Sequence, residues 1–178
     1  AFMVFSFSDL VINVFFGKNY IPAASAMRIL SVGMIFATMH RTSSNFFPGI
    51  GKPQIISKIV YTAAIFNFIA NLILIPMLGI IGAAITTSSS YFIMMVMGLT
   101  NIRKFIKITF PIKVWAKTLI AGMIFILIIG ILKKVIVLNV WLETAIVLII
   151  ASIFYVGLLF LFKVINIKEL KNIFKRVI

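Results

Sequence analysis

Residues 54–100 read QIISKIVYTAAIFNFIANLILIPMLGIIGAAITTSSSYFIMMVMGLT, two long apolar runs parted by little more than Met77–Gly79. About 20 helical residues cross the hydrocarbon core of a bilayer. Gln54–Pro76 and Ile80–Thr100 are therefore each expected to span it, as antiparallel neighbours because their link is so short. The same reading extends outward to Pro22–Phe47, Val114–Leu132 and Asn139–Phe162, which makes five spans. Ala1–Phe16 is too short for a sixth and is interrupted by Asp9 and Asn13. It is expected to be the tail of a span whose beginning is missing, with its polar residues turned toward protein.

Composition supports lipid as the solvent. The 178 residues are 63% hydrophobic with a mean hydropathy of +1.23, against roughly 45–50% apolar in a soluble domain. There is no cysteine, so disulfides and thiolate metal sites are excluded. With one histidine and three acids, Asp9, Glu143 and Glu169, no paired-carboxylate site, metal cluster or activated nucleophile is visible. Glycines 49 and 51 in PGIGK lack the spacing and the following Ser/Thr of a phosphate-binding nucleotide loop. The expectation is a non-enzymatic protein without cofactor or metal.

A formal charge of +14 raises nucleic acid, anionic lipid and membrane topology as explanations. Placement of the charges favours the last two. Thirteen basic residues (Arg41, Lys52, Lys58, Arg103, Lys104, Lys107, Lys113, Lys117, Lys163, Lys168, Lys171, Lys175 and Arg176) fall near one side, and four (Lys18, Arg28, Lys133 and Lys134) near the other. The positive-inside rule then puts the 48–53 link, the 101–113 link and the C-terminal tail in the cytoplasm of a multi-pass cell-membrane protein. The link NIRKFIKITFPIK (101–113) and the tail 163–178 are basic and amphipathic, suited to a membrane surface rich in anionic lipid. Trp115 and Trp141 open the last two spans at headgroup level.

Polar groups within the spans are the candidate functional residues. Arg28, His40 and Arg41 lie on the first span. Each is either a snorkelled interfacial residue or a lining group of a wet cavity. Arg28 and Arg41 are thirteen residues apart and are expected on roughly similar faces, which would give one cavity a cation toward each end. Such a cavity would favour a phosphate or pyrophosphate, held by charge-assisted, often bidentate bonds. Asn67 and Asn71 share a face of the second span, where they serve either a packing seam or substrate. Gly82, Thr86 and Ser90 form a small-residue stripe on the third, expected to be a packing face. Pro76 is expected to help terminate the second span and Gly79 to make the tight link. Glu143, one turn inside the fifth span, is expected at the interface, answering Lys133 or Lys134.

Three stretches, FGKNYIPAASAMRIL (16–30), GKPQ (51–54) and NFIANLILIPMLGIIGAAITT (67–87), resemble in order and spacing the C-terminal part of the polysaccharide biosynthesis exporters. These are lipid-linked oligosaccharide flippases within the multidrug/oligosaccharidyl-lipid/polysaccharide exporter superfamily. The resemblance implies an all-α, polytopic transmembrane helical bundle, the C-terminal part of a fourteen-helix, two-lobed transporter. Residues 1–16 would end the ninth helix, 17–100 would supply three helices completing the second lobe, 101–113 the cytoplasmic link, 114–162 the two additional C-terminal helices and 163–178 the cytoplasmic tail. The remaining N-terminal helices would be its partners, together with membrane lipids and a lipid-linked glycan pyrophosphate; nucleic acid would not.

The family works by alternating access, and its pyrophosphate-carrying members characteristically have cavity arginines. Under this resemblance Arg28, Arg41, His40, Asn67 and Asn71 are the expected substrate-binding residues. Gly17, Tyr20, Pro76, Gly79 and Gly82 are the expected structural ones. Two rivals stay open. A drug or cation antiporter of the same superfamily would need acids deep in its cavity, and a scaffold or assembly subunit of a glycan-synthesis complex would be removed by a full-length coding region with nine preceding spans.

Overall fold

The computed structural model describes residues 1–107, 111–135, 140–162 and 164, with backbone alone at Val140 and Trp141. The basic tail, the Asn139 start of the fifth expected span and the side chain of Trp141 lie outside the described residues. Every regular element described is helical: α1 (Phe2–Ser6), α2 (Ser8–Phe16), a 3₁₀ turn (Lys18–Ala23), α3 (Ala24–Gly49), α4 (Pro53–Leu78), α5 (Ile80–Ile102), α6 (Ile112–Val135) and α7 (Val140–Leu161). Five stretches, Lys18–Gly49, Pro53–Leu78, Ile80–Ile102, Ile112–Val135 and Leu142–Leu161, are long and apolar enough to cross a membrane. The chain divides into two compact units, one of residue 1 and residues 3–109 and the other of Phe2 and residues 110–178.

In the first unit the N-terminal segment is bent rather than straight. Phe7 departs from helical geometry between α1 and α2, and the Ser8 hydroxyl donates to Val4 O at 2.6 Å. A serine bonding back to the preceding turn competes with the backbone ladder and bends it. Gly17, at φ 90°, ends α2 with its N–H on Asn13 O. That conformation is open to glycine and costly for other residues. Tyr20 follows in the 3₁₀ turn, exposed and beside Phe16 with ring centroids 6.3 Å apart.

Helices α3 and α4 both pack on α5 and touch each other sparsely. Small residues on α5 permit this. A Cβ at Gly33 would stand 2.9 Å from Ser88 Cβ, one at Gly98 would collide with Ser43, and one at Gly82 would strike the Leu74 carbonyl. Helix–helix association in lipid relies on such close approach, because lipid tails remove the hydrophobic drive. Farther along, Phe36 meets Phe92 edge-on at 5.2 Å, and Phe47, Ile59 and Ile102 form a buried cluster.

The α4–α5 link departs in one respect from expectation. Helix α4 runs through Pro76 to Leu78, and Gly79, at φ 58° and ψ −135°, is the residue that breaks it. Pro76 lacks an amide hydrogen, yet a helix tolerates this near its end when the chain turns soon after. Pro53 opens α4 as its first residue, where the missing N–H costs nothing.

The second unit is a hairpin of α6 and α7. Its described core includes Ala121, Phe125 and Ile129 of α6 with Val147, Ala151 and Leu159 of α7. Phe125 meets Tyr155 at 5.5 Å, and Lys117 Nζ donates to Phe162 O at 2.9 Å. Glu143 lies in the first turn of α7, where the helix dipole favours a carboxylate.

Candidate functional site

Arg41 and His40 border a cleft of about 290 Å³, formed by Met34, Ala37, Thr38, His40, Arg41 and Ser44 of α3 with Tyr91 of α5. Residues 34, 37, 38, 41 and 44 recur at helical spacing and so line one strip of α3. His40 is at the edge of that strip and almost wholly buried. Its Nε2 lies 3.1 Å from the Ser44 hydroxyl, while Nδ1 faces the α5 backbone beside Met94 and Gly98 without a well-aligned hydrogen bond. The Thr38 hydroxyl donates to Met34 O at 2.8 Å.

Arg41 is exposed, and no other described side chain hydrogen-bonds to or pairs with its guanidinium. The cleft therefore offers an arginine, two hydroxyl-bearing side chains on α3 and a tyrosine. Its volume is at the lower limit of small-ligand pockets.

Arg28 is elsewhere. Its guanidinium is ion-paired with Asp9 of α2, both side chains being partly exposed, and it does not line the Arg41 cleft. The expectation that Arg28 and Arg41 share a face is thus corrected. Thirteen residues at about 100° each turn the helix through roughly 220° beyond whole turns, which sends the two arginines to different neighbours. The Asp9 partnership was missed in the sequence. Its signal was two opposite lone charges in neighbouring apolar segments.

Asn67 and Asn71 are held in the α4–α5 seam. Asn67 Nδ2 donates to Ser90 Oγ at 3.1 Å and Asn71 Nδ2 to Asn67 Oδ1 at 2.8 Å. Thr86 Oγ1 donates to Asn71 Oδ1, and Ser90 Oγ returns a bond to Thr86 O at 2.8 Å. Neither asparagine lines the Arg41 cleft or the apolar groove between α2, α3 and α5. Of the five residues expected at substrate, His40 and Arg41 are brought together, Arg28 is separated from them, and Asn67 and Asn71 form a network of their own. Tyr91 joins the cleft without having been anticipated, because it sits one residue off the Gly82–Thr86–Ser90 stripe. Among the described residues no group of three or more His, Asp or Glu could hold a metal ion.

No family model matches the chain, and no solved structure matches it. Two curated proteins do. The uncharacterized membrane protein MJ1068 of Methanocaldococcus jannaschii is 38% identical over 182 residues, covering 100% of this chain and 35% of that protein. The probable low-salt glycan biosynthesis flippase Agl15 of Haloferax volcanii is 27% identical over 109 residues, covering 61% of this chain and 23% of that protein. The chain thus spans about a third or less of the relatives it matches. Neither relative is named as an enzyme, in keeping with the non-enzymatic reading. With its five apolar helices and a membrane protein similar along its whole length, the chain is a multi-pass membrane protein.

Proposed function

We propose that this chain is part of an exporter that moves a lipid-linked glycan pyrophosphate across the cell membrane by alternating access. The chain would contribute to the second lobe of a fourteen-helix transporter, with its C-terminus in the cytoplasm. The observation that carries the reading is the cleft around Arg41, a cation with no acidic partner among the described residues, on a helix long and apolar enough to span a membrane. A charge so placed is costly unless it meets water or an anion, and the planar fork of a guanidinium matches phosphate oxygens bidentately. The similarity to a protein named as a probable glycan biosynthesis flippase supports the same direction. Arg41 would engage the phosphate, with Tyr91 and the His40–Ser44 pair beside it. Asn67 and Asn71 would act by fixing α4 on α5.

An antiporter for cations finds less support. Asp9, the acid within the first unit, is already neutralised by Arg28. The deciding experiment is reconstitution of the full-length protein into vesicles containing a fluorescent lipid-pyrophosphate glycan. Headgroup should reach the opposite leaflet faster than in protein-free vesicles. Equal rates would sink the proposal.

A further inference from the structure

The end of the first unit where α3 gives way to α4 also receives the end of α5, and Phe105 joins the two links. Its ring meets Phe47 edge-on at 6.1 Å, and Lys52 Nζ stands 4.4 Å above its centroid. Phe47 is fully buried and Ile102 nearly so, so the ring that holds Lys52 is anchored on the helical core. The backbone helps to set it, with Phe105 N–H donating to Ile102 O at 2.9 Å and Lys52 N–H to Phe47 O at 2.9 Å.

Around this junction Lys52, Lys58, Arg103, Lys104 and Lys107 are all exposed. No acid occurs between residues 10 and 142. The acid in the first unit, Asp9, pairs with Arg28 near the opposite end of α3. Lys52 is held by an aromatic face and Lys104 by the neutral Asn101 amide at 3.2 Å. Both contacts fix a lysine in place without cancelling its charge. Beside them Phe105 and Ile106 are 40% and 48% exposed, which adds an apolar border to the cationic patch.

We infer that the Lys52–Phe105 junction, with Lys104 and Lys107, is a binding surface for the phosphate headgroup of an anionic membrane lipid. The patch lies where three membrane-spanning helices end, at headgroup level, and the mixture of lysines with exposed Phe and Ile matches the headgroup–acyl boundary. This surface is independent of the Arg41 cleft and stands whether or not that cleft binds a glycan lipid. A lysine at an anionic membrane surface is worth about five-fold in affinity.

The test is a titration of phosphatidylglycerol into the detergent-solubilised full-length protein, read by native mass spectrometry, with phosphatidylcholine and inorganic phosphate in parallel. Phosphatidylglycerol should be retained in preference to phosphatidylcholine, and inorganic phosphate should not displace it. K52Q/K104Q should weaken retention by about five-fold or more. The charge-matched K18Q/K134Q should leave it unchanged, and K52R/K104R should restore it. The inference is overturned if the two lipids bind alike, if both glutamine double variants weaken retention equally, or if inorganic phosphate displaces the lipid. Wild-type melting midpoints in the variants separate lost binding from lost fold.

Discussion

Asn71 of α4 accepts a hydrogen bond from the Thr86 hydroxyl of α5 while donating to Asn67 one turn earlier. Asn67 in turn reaches Ser90, so two amides on one helix grip two hydroxyls on its neighbour. Around these side chains lipid supplies no competing partners, and interhelical hydrogen bonds in membranes contribute on average about 0.6 kcal/mol and up to about 1.7. Asn71→Leu removes both of that residue's bonds and should destabilise the protein by about 1 kcal/mol in denaturant unfolding from detergent. Thr86→Val removes one of the same bonds, so the double variant should cost less than the sum of the singles. Strict additivity would show that the network carries no coupling.

The two glycine contacts on α5 differ in what could relieve them. At Gly98 an added methyl meets the side chain of Ser43, whereas at Gly82 it meets the Leu74 backbone carbonyl. Gly98→Ala should cost about 1–3 kcal/mol, the usual range for overpacking, and Ser43→Gly in the same chain should recover a large part of it. Gly82→Ala has no side chain to trim. Truncating its neighbours should leave its cost in place, and a compensating truncation at Leu74 would refute the contact.

These contrasts show which parts of the site could be read from residues alone. The Gly82–Thr86–Ser90 stripe was legible because small and polar residues four apart fall on one helix face. The five spans were legible because length and hydropathy are local properties. The Asp9–Arg28 pair was not, since it depends on how α2, bent at Phe7, meets a helix nineteen residues later. Nor was the end of α4: proline marks where a helix can stop, and here the chain stops where Gly79 takes a conformation closed to other residues. The separation of Arg28 from Arg41 follows from helical rotation and became evident through their different neighbours.

The Asp9–Arg28 pair should act as a local clasp between α2 and α3. Both side chains are partly open to their surroundings, so the pair is expected to contribute about 1 kcal/mol or less, as exposed pairs do. Asp9→Asn and Arg28→Gln should each lower the unfolding midpoint slightly. A double-mutant cycle should give a coupling energy of about 0.5–1 kcal/mol, falling as salt is raised. A coupling of zero at low salt would mean that the two groups do not pair in the membrane protein.

Arg41 and Arg28 should separate in function as they do in space. Arg41 has no described partner and faces the cleft with Tyr91, whereas the charge of Arg28 is answered by Asp9. If the cleft receives a phosphate, Arg41→Gln removes a charge-assisted bond worth about 1.5–3 kcal/mol. Glycan-lipid translocation by the full-length protein at subsaturating substrate should then fall by about ten-fold or more. Arg41→Lys keeps the charge but loses the planar fork and should fall between. Arg28→Gln should change the rate by less than Arg41→Gln at matched protein in the vesicles. A larger loss at Arg28 than at Arg41 would move the substrate away from this cleft and toward the α2–α3 crossing.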